Sequence, residues 1–201
     1  MLSVHGRVEW KAASGRAFVP VTATTKQSVQ AGDELRTGGD ASITLEVPDG
    51  SYMVISENSK LIVEDFWSGN LRNMMYLMMG RVRFFIQKVG GRPNPYSVRT
   101  PTALIAVRGT VFDVSVDEAQ IAEVRCFEGQ VAVENITRSD RQVILNPGFK
   151  TLVRPGEVPT MPVIDVLATD NDWFTQPDPH KGSNPITIDT SQSAKPTLTF
   201  P

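Results

Sequence analysis

Apolar and polar side chains alternate along most of the first three quarters of the chain. Ser42 to Val47 places Ile43, Leu45 and Val47 on one side and Ser42, Thr44 and Glu46 on the other, the period-2 signature of a half-buried strand. Pro48-Asp49-Gly50-Ser51 predicts a tight turn with positive φ at Gly50, and Tyr52 to Ile55 returns as the partner strand. Shorter runs from Gly6 to Trp10, Ala17 to Val21, Ser59 to Val63, Ile121 to Cys126, Gln130 to Glu134, Gln142 to Leu145 and Lys150 to Val153 predict further strands. Phe66 to Asn70 predicts a loop carrying two large aromatics. Leu71 to Met79 has apolar residues on both parities, and Leu, Met and Arg also form helices well. Strands surround it and Gly80 opens a clean one (Val82, Phe84, Ile86), so strand is favoured.

The segment Val98 to Val116 is the most informative. Pro101 lacks a ladder donor and biases Thr100 toward an extended conformation. Leu104 to Val107 is a short apolar run. After it, Phe112, Val114 and Val116 alternate with Val111, Asp113 and Ser115. Between the runs, Arg108-Gly109-Thr110 predicts a sharp corner joining two strand pieces, with Gly109 free to take positive φ. Arg108 is expected to fix the corner by offering its guanidinium to a carboxylate or to free carbonyls. A glycine followed by a basic or amide residue and valine recurs at Gly6-Arg7-Val8, Gly80-Arg81-Val82 and Gly129-Gln130-Val131, at unequal spacing. Many short strands with glycine corners predict an all-β body, either a sandwich or a coil of short sheets. After Val153 the character changes. Eight of the fourteen prolines lie from Pro155 onward, so residues 1–154 are expected to form the domain and 155–201 an extended tail or linker. Within the tail, Val163 to Phe174 is expected to make one short helix.

Several of these motifs, in this order, resemble the FecR domain family. They are Gly32-Asp33-Glu34-Leu35-Arg36-Thr37-Gly38, then Asp49-Gly50-Ser51, Gly80-Arg81-Val82-Arg83-Phe84, and Thr100-Pro101-Thr102-Ala103. They continue with Val107-Arg108-Gly109-Thr110 followed by Phe112 and Val114, then Glu128-Gly129-Gln130-Val131, and Pro147-Gly148. The resemblance runs from about Gly6 to Val153. It implies a twisted β-solenoid-like body, a periplasmic or extracellular location, and a non-catalytic role in contacting another protein, as in regulators that relay a signal across the envelope to a sigma factor. The chain opens without a basic and apolar leader pattern, so the resemblance further implies a leader or anchor removed before Met1.

Composition narrows the function. Twenty basic and twenty-two acidic residues leave a net charge of -2, without the basic field that a nucleic-acid backbone requires. No apolar run is long enough to span a bilayer as a helix. His5 and His180 are the only histidines and sit near opposite ends, so zinc spacing is absent and no metal or cofactor is expected. Cys126, the sole cysteine, shares a strand face with Val124 and is expected to be a small buried apolar residue.

Asp113 and Asp117 are expected on a solvated outer face, and no phosphate loop or nucleophile elbow occurs, so the chain is expected to be no enzyme. Candidate partner contacts are Met74, Met75, Tyr76 and Met78, because clustered methionine suits adaptable surfaces, together with Phe66, Trp67, Trp173 and Phe174 as aromatic anchors. The competing expectation buries the methionines in a two-faced strand. If instead they are interfacial, the chain should self-associate, and Met75→Lys should make it monomeric without unfolding it. Two other functions fit the pattern: a surface-assembly protein whose tail docks on a neighbouring copy, and a carbohydrate-binding module stacking sugars on Trp67 or Trp173.

Overall fold

The computed structural model of the chain describes residues 3–22, 28–68, 71–89, 92–93 and 95–166. In chain order the strands are β1 (Val4–His5), β2 (Val8–Lys11), β3 (Val19–Val21), β4 (Glu34–Thr37), β5 (Ser42–Glu46) and β6 (Tyr52–Ile55). There follow β7 (Lys60–Ser68), β8 (Leu71–Phe85), β9 (Lys88–Val89), β10 (Arg92–Pro93), β11 (Pro95–Arg99) and β12 (Ala103–Arg108). The series ends with β13 (Val111–Val116), β14 (Ala122–Glu128), β15 (Val131–Asn135), β16 (Gln142–Leu145), β17 (Phe149–Val153) and β18 (Val163–Ile164). The ambiguous methionine run is strand, as expected. Phe66 to Ser68 belong to β7 and not to a loop, because β8 supplies a ladder opposite them. Val163–Ile164, expected to start a helix, instead pair with the exposed side of β17. Residues 167–174 lie outside the described residues.

Sixteen strands form one continuous sheet, and β9 and β10 make a separate hairpin. The sheet folds into two halves within β8. The first part of β8 pairs antiparallel with β7 and parallel with β11, whereas from Gly80 onward it pairs antiparallel with β6 and β13. One half reads β3-β2-β4-β7-β8-β11-β12-β15-β16 and the other β1-β5-β6-β8-β13-β14-β17-β18. Apart from β3, each half runs in chain order. The backbone therefore shuttles between two sheets while advancing along one direction, which unites the sandwich and coil expectations.

Each half sends one side-chain row inward. Val63, Met75, Val98, Ile105, Val133 and Val143 stand in register across the first half, and Ile43, Ile55, Val82, Val114 and Val124 across the second. All are buried and belong to one core cluster. Phe84 and Phe112 stack in it with ring centres 4.6 Å apart.

The shuttling requires abrupt corners, and these carry left-handed backbone. Gly6, Asp40, Asn58, Gly80, Gly109, Gly129 and Gly148 all have positive φ, and each sits where the chain passes from one half to the other. Two need glycine for different reasons. Gly109, at φ +63°, turns β12 into β13 at the predicted corner. Gly80, at φ +96°, lies so close to β7 that an added Cβ would fall 2.4 Å from the Ser59 Cα, which is backbone and cannot swing away. Gly80→Ala should accordingly destabilise the fold by about 2–3 kcal/mol. Differential scanning calorimetry should show this as a melting temperature lower by roughly 5–10 °C.

Candidate interaction surface

The polar residues of the sequence motifs are spent on closing the fold. Asp33 is 4% exposed, and its carboxylate accepts hydrogen bonds from the Trp10 indole at 2.8 Å and from the Ala13 and Gln30 amides at 2.9 Å each. It thereby pins the entry to β4 against β2. Ser51 ends the β5–β6 turn: its carbonyl accepts from the Val47 amide and its hydroxyl from the Gln87 amide. Thr100 Oγ1 accepts from the Ala103 amide at 2.8 Å, shaping the β11–β12 hairpin. Thr102 Oγ1 contacts the Gln120 and Val153 carbonyls at 3.1 and 3.2 Å, tying that hairpin to the opposite half. Asn135 donates to the Arg154 and Glu157 carbonyls, so residues just beyond the expected boundary at 154 are bonded to the body. Asp33, Ser51, Thr100, Thr102 and Asn135 are themselves buried, and each is hydrogen-bonded, which offsets the cost of withdrawing its polar atoms from water.

Asp113 corrects the sequence reading. It does point to the outer face of its half, as its parity required, yet it is 1% exposed and not solvated. Cross-strand register sets it opposite Arg83 on β8 and Arg125 on β14. Arg83, itself 3% exposed, donates through Nε at 2.5 Å and through Nη2 at 2.8 Å, a bidentate fork. A register shift in β14 aims Phe127 over the Arg83 guanidinium at 4.2 Å and seals the pair. The row continues outward: Glu123 accepts from Arg125 at 2.7 Å and from Lys150 at 3.0 Å. Burial acts to raise the Glu123 carboxyl, but the bonds from Lys150 and Arg125 outweigh it and hold its pKa below the ordinary value. Nothing here resembles an acid–base pair across a cleft, because the carboxylate and its cation are closed to any substrate.

The structure divides the candidate contact residues. Met74 and Met75 are 5% and 1% exposed, and Met75 belongs to the inner row, so neither offers surface to a partner. The expectation for Met75→Lys reverses, since a cation there would unfold the body. Tyr76 and Met78 are half-buried. Arg99 lies over the Tyr76 ring at 5.5 Å and bonds Glu64 at 3.0 Å, while burial pushes the Glu64 carboxyl up against the pull of Arg99. The backbone of Phe66 and Trp67 lies in β7, but their side chains, like that of Arg108, lie outside the described residues, as do Trp173 and Phe174 entirely. Cys126 is fully buried beside Val124, and burial pushes its thiol up to about 11. Among the described residues no three metal-ligating side chains converge, and no helix is long and apolar enough to cross a membrane.

No local pattern in the chain announced where apolar surface stays uncovered. Among the described residues the exposed large hydrophobics are Val19 at one end and Ile136, Ile144, Met161, Val163, Ile164 and Val166 at the other. The latter cluster on or beside β16 and β18, the terminal strands of the two halves. Beside β16 a groove of about 680 Å³ runs over Ala106, Ala132 and Ile144, with Gln130 and Gln142 at its polar side.

Comparison with known proteins gives this architecture a family. Residues 33–132 match the family described as FecR protein. The chain carries a FecR domain. Two crystal structures of a protein provisionally described as an anti-sigma factor from Parabacteroides distasonis share the fold. One aligns with a TM-score of 0.57 at 17% identity over 71% of this chain and 65% of that one, the other with 0.54 at 18% over 66% and 59%. The chain thus spans less than two thirds of either structure, and at these identities the likeness is one of fold. No curated protein matches the chain. The FecR match begins at Asp33, the residue whose carboxylate gathers three donors, and takes in the Arg83–Asp113 pair.

Two outcomes follow from the ionic row. Asp113→Asn leaves the Arg83 cation buried without its counter-charge and should destabilise the fold by about 3–5 kcal/mol, read by urea unfolding. The double variant Arg83→Met/Asp113→Leu should recover most of that loss. Glu123 titrates with a lowered folded pKa, so its stabilisation is present above the ordinary glutamate value and is lost as pH falls through the folded one. The stability gap between the natural chain and Glu123→Gln should be open at neutral pH and closed in strong acid.

Proposed function

We propose that this FecR-domain chain is a non-catalytic, extracytoplasmic contact module that relays a signal in envelope regulation of a sigma factor. The observation that carries this reading is the asymmetric surface. The polar groups of the motifs are buried and committed to partners within the fold, while uncovered apolar side chains gather where both halves end. An open strand edge offers unpaired backbone groups, and alternating apolar side chains beside it offer area, which together suit the addition of a partner's extended segment. β16 supplies both, since among the described residues it pairs with β15 alone and keeps Ile144 46% exposed. The family match and the fold shared with the Parabacteroides distasonis protein support the regulatory side of the reading.

Deleting the gene should change transcription from a coherent set of promoters, and the natural sequence should restore it. Ile144→Asp combined with Ile164→Asp should lower the melting temperature only slightly, because the side chains are already 46% and 71% exposed, yet fail to restore the transcriptional response. Full restoration by the double variant would remove this end of the molecule from the contact. A deletion that leaves transcription untouched would remove the signalling role.

A further inference from the structure

At the opposite, early end of the body lies a groove of about 420 Å³ bordered by Arg7, Glu9, Arg36, Lys60, Asn58 and Met79. Its charges are oddly placed. On the outer face of the first half, register sets Glu9 opposite Arg36 on one side and Lys60 opposite Arg36 on the other. Two cations directly across an antiparallel ladder have Cβ atoms roughly 5 Å apart and repel, so such pairs are normally relieved by a carboxylate. Here the nearby carboxylate is otherwise engaged: Glu9 accepts from Arg7 Nη2 at 2.7 Å and from Arg7 Nε at 3.2 Å. Among the described residues neither Arg36 nor Lys60 has an ion-pair partner, and Arg36 Nε is shielded from solvent with no hydrogen bond. The guanidinium is held in place all the same, stacked on the Phe18 ring at 3.8 Å. A guanidinium that is positioned, uncompensated and borders a groove is arranged for an anion.

We infer that this groove receives a carboxylate side chain from an acidic segment of a protein partner. Arg36 would meet the carboxylate with its terminal guanidinium nitrogens, and Lys60 would add the second charge. Met79 gives the groove an apolar wall suited to the methylene stem of a glutamate, and the Asn58 amide stands at the rim. A singly charged carboxylate suits the site better than a phosphate dianion, because Glu9 lies in the same groove. A lipid surface fits poorly, since the cations line one narrow cleft on a chain of net charge -2 instead of a broad basic face. That the acidic segment belongs to a protein rests on the contact role proposed above. The anion-binding property itself does not.

The test uses the full chain at low ionic strength, where such attraction is least screened. Isothermal titration with a blocked oligoglutamate peptide should give saturable binding, and NMR should place the largest shifts at Arg36, Lys60 and Asn58. Arg36→Gln/Lys60→Gln should weaken binding by about tenfold or more, the loss expected for charge-assisted hydrogen bonds. Both side chains face the groove, and removing one repulsive pair should leave the double variant at least as thermally stable as the natural chain. Peptide binding that survives in the double variant overturns the assignment, as does no binding at all. Inorganic phosphate binding more tightly than the peptide, or retention on phosphatidylglycerol vesicles without peptide binding, also overturns it in favour of phosphate chemistry. All of these readouts are independent of whether deleting the gene alters transcription.

Discussion

Everything in this molecule depends on the left-handed corners. A chain that shuttles between two packed sheets must turn abruptly at most passages, and ordinary residues resist the backbone angles this needs. Glycine accepts them at most passages, and Asp40 and Asn58, two of the few residue types that tolerate the left-handed region, serve at two others. Once the corners are set, inward and outward parity follows for every strand between them. The core rows, the buried ion pair and the exposed ends are consequences of that parity.

The polar groups divide the remaining work. Asp33, Ser51, Thr100, Thr102 and Asn135 satisfy backbone groups that a corner would otherwise leave bare, and several join one half to the other. Arg83 and Asp113 act differently. They fix lateral register between β8 and β13, because a slip would separate a buried cation from its bidentate acceptor. A FecR domain of this kind thus uses its most conspicuous side chains to define shape.

Much of this was legible in the chain. Alternation located the strands, glycine located the corners, and the β5–β6 hairpin follows directly from Pro48-Asp49-Gly50-Ser51. Burial on the outer face was not legible. Parity correctly turned Asp113 outward, but nothing local announced that Arg83, thirty positions earlier, and the displaced Phe127 would cover it. The methionine run posed a similar problem: composition suggested a sticky surface, whereas register with Val63 and Val98 places Met75 in the core. The uncovered residues around β16 and β18 and the uncompensated Arg36–Lys60 pair were equally hidden, since both emerge only when distant strands become neighbours.

The chain-ordered sequence of strands has a mechanical corollary. Because neighbouring ladders were laid down one after another, a pull on the C-terminal end loads β18 first and the late strands of both halves before the early ones. The body should yield by peeling, releasing short lengths of backbone in small steps, and the early strands with their cationic groove should stay assembled long after the late ones have opened. A body built this way can lengthen under tension while its early strands stay folded.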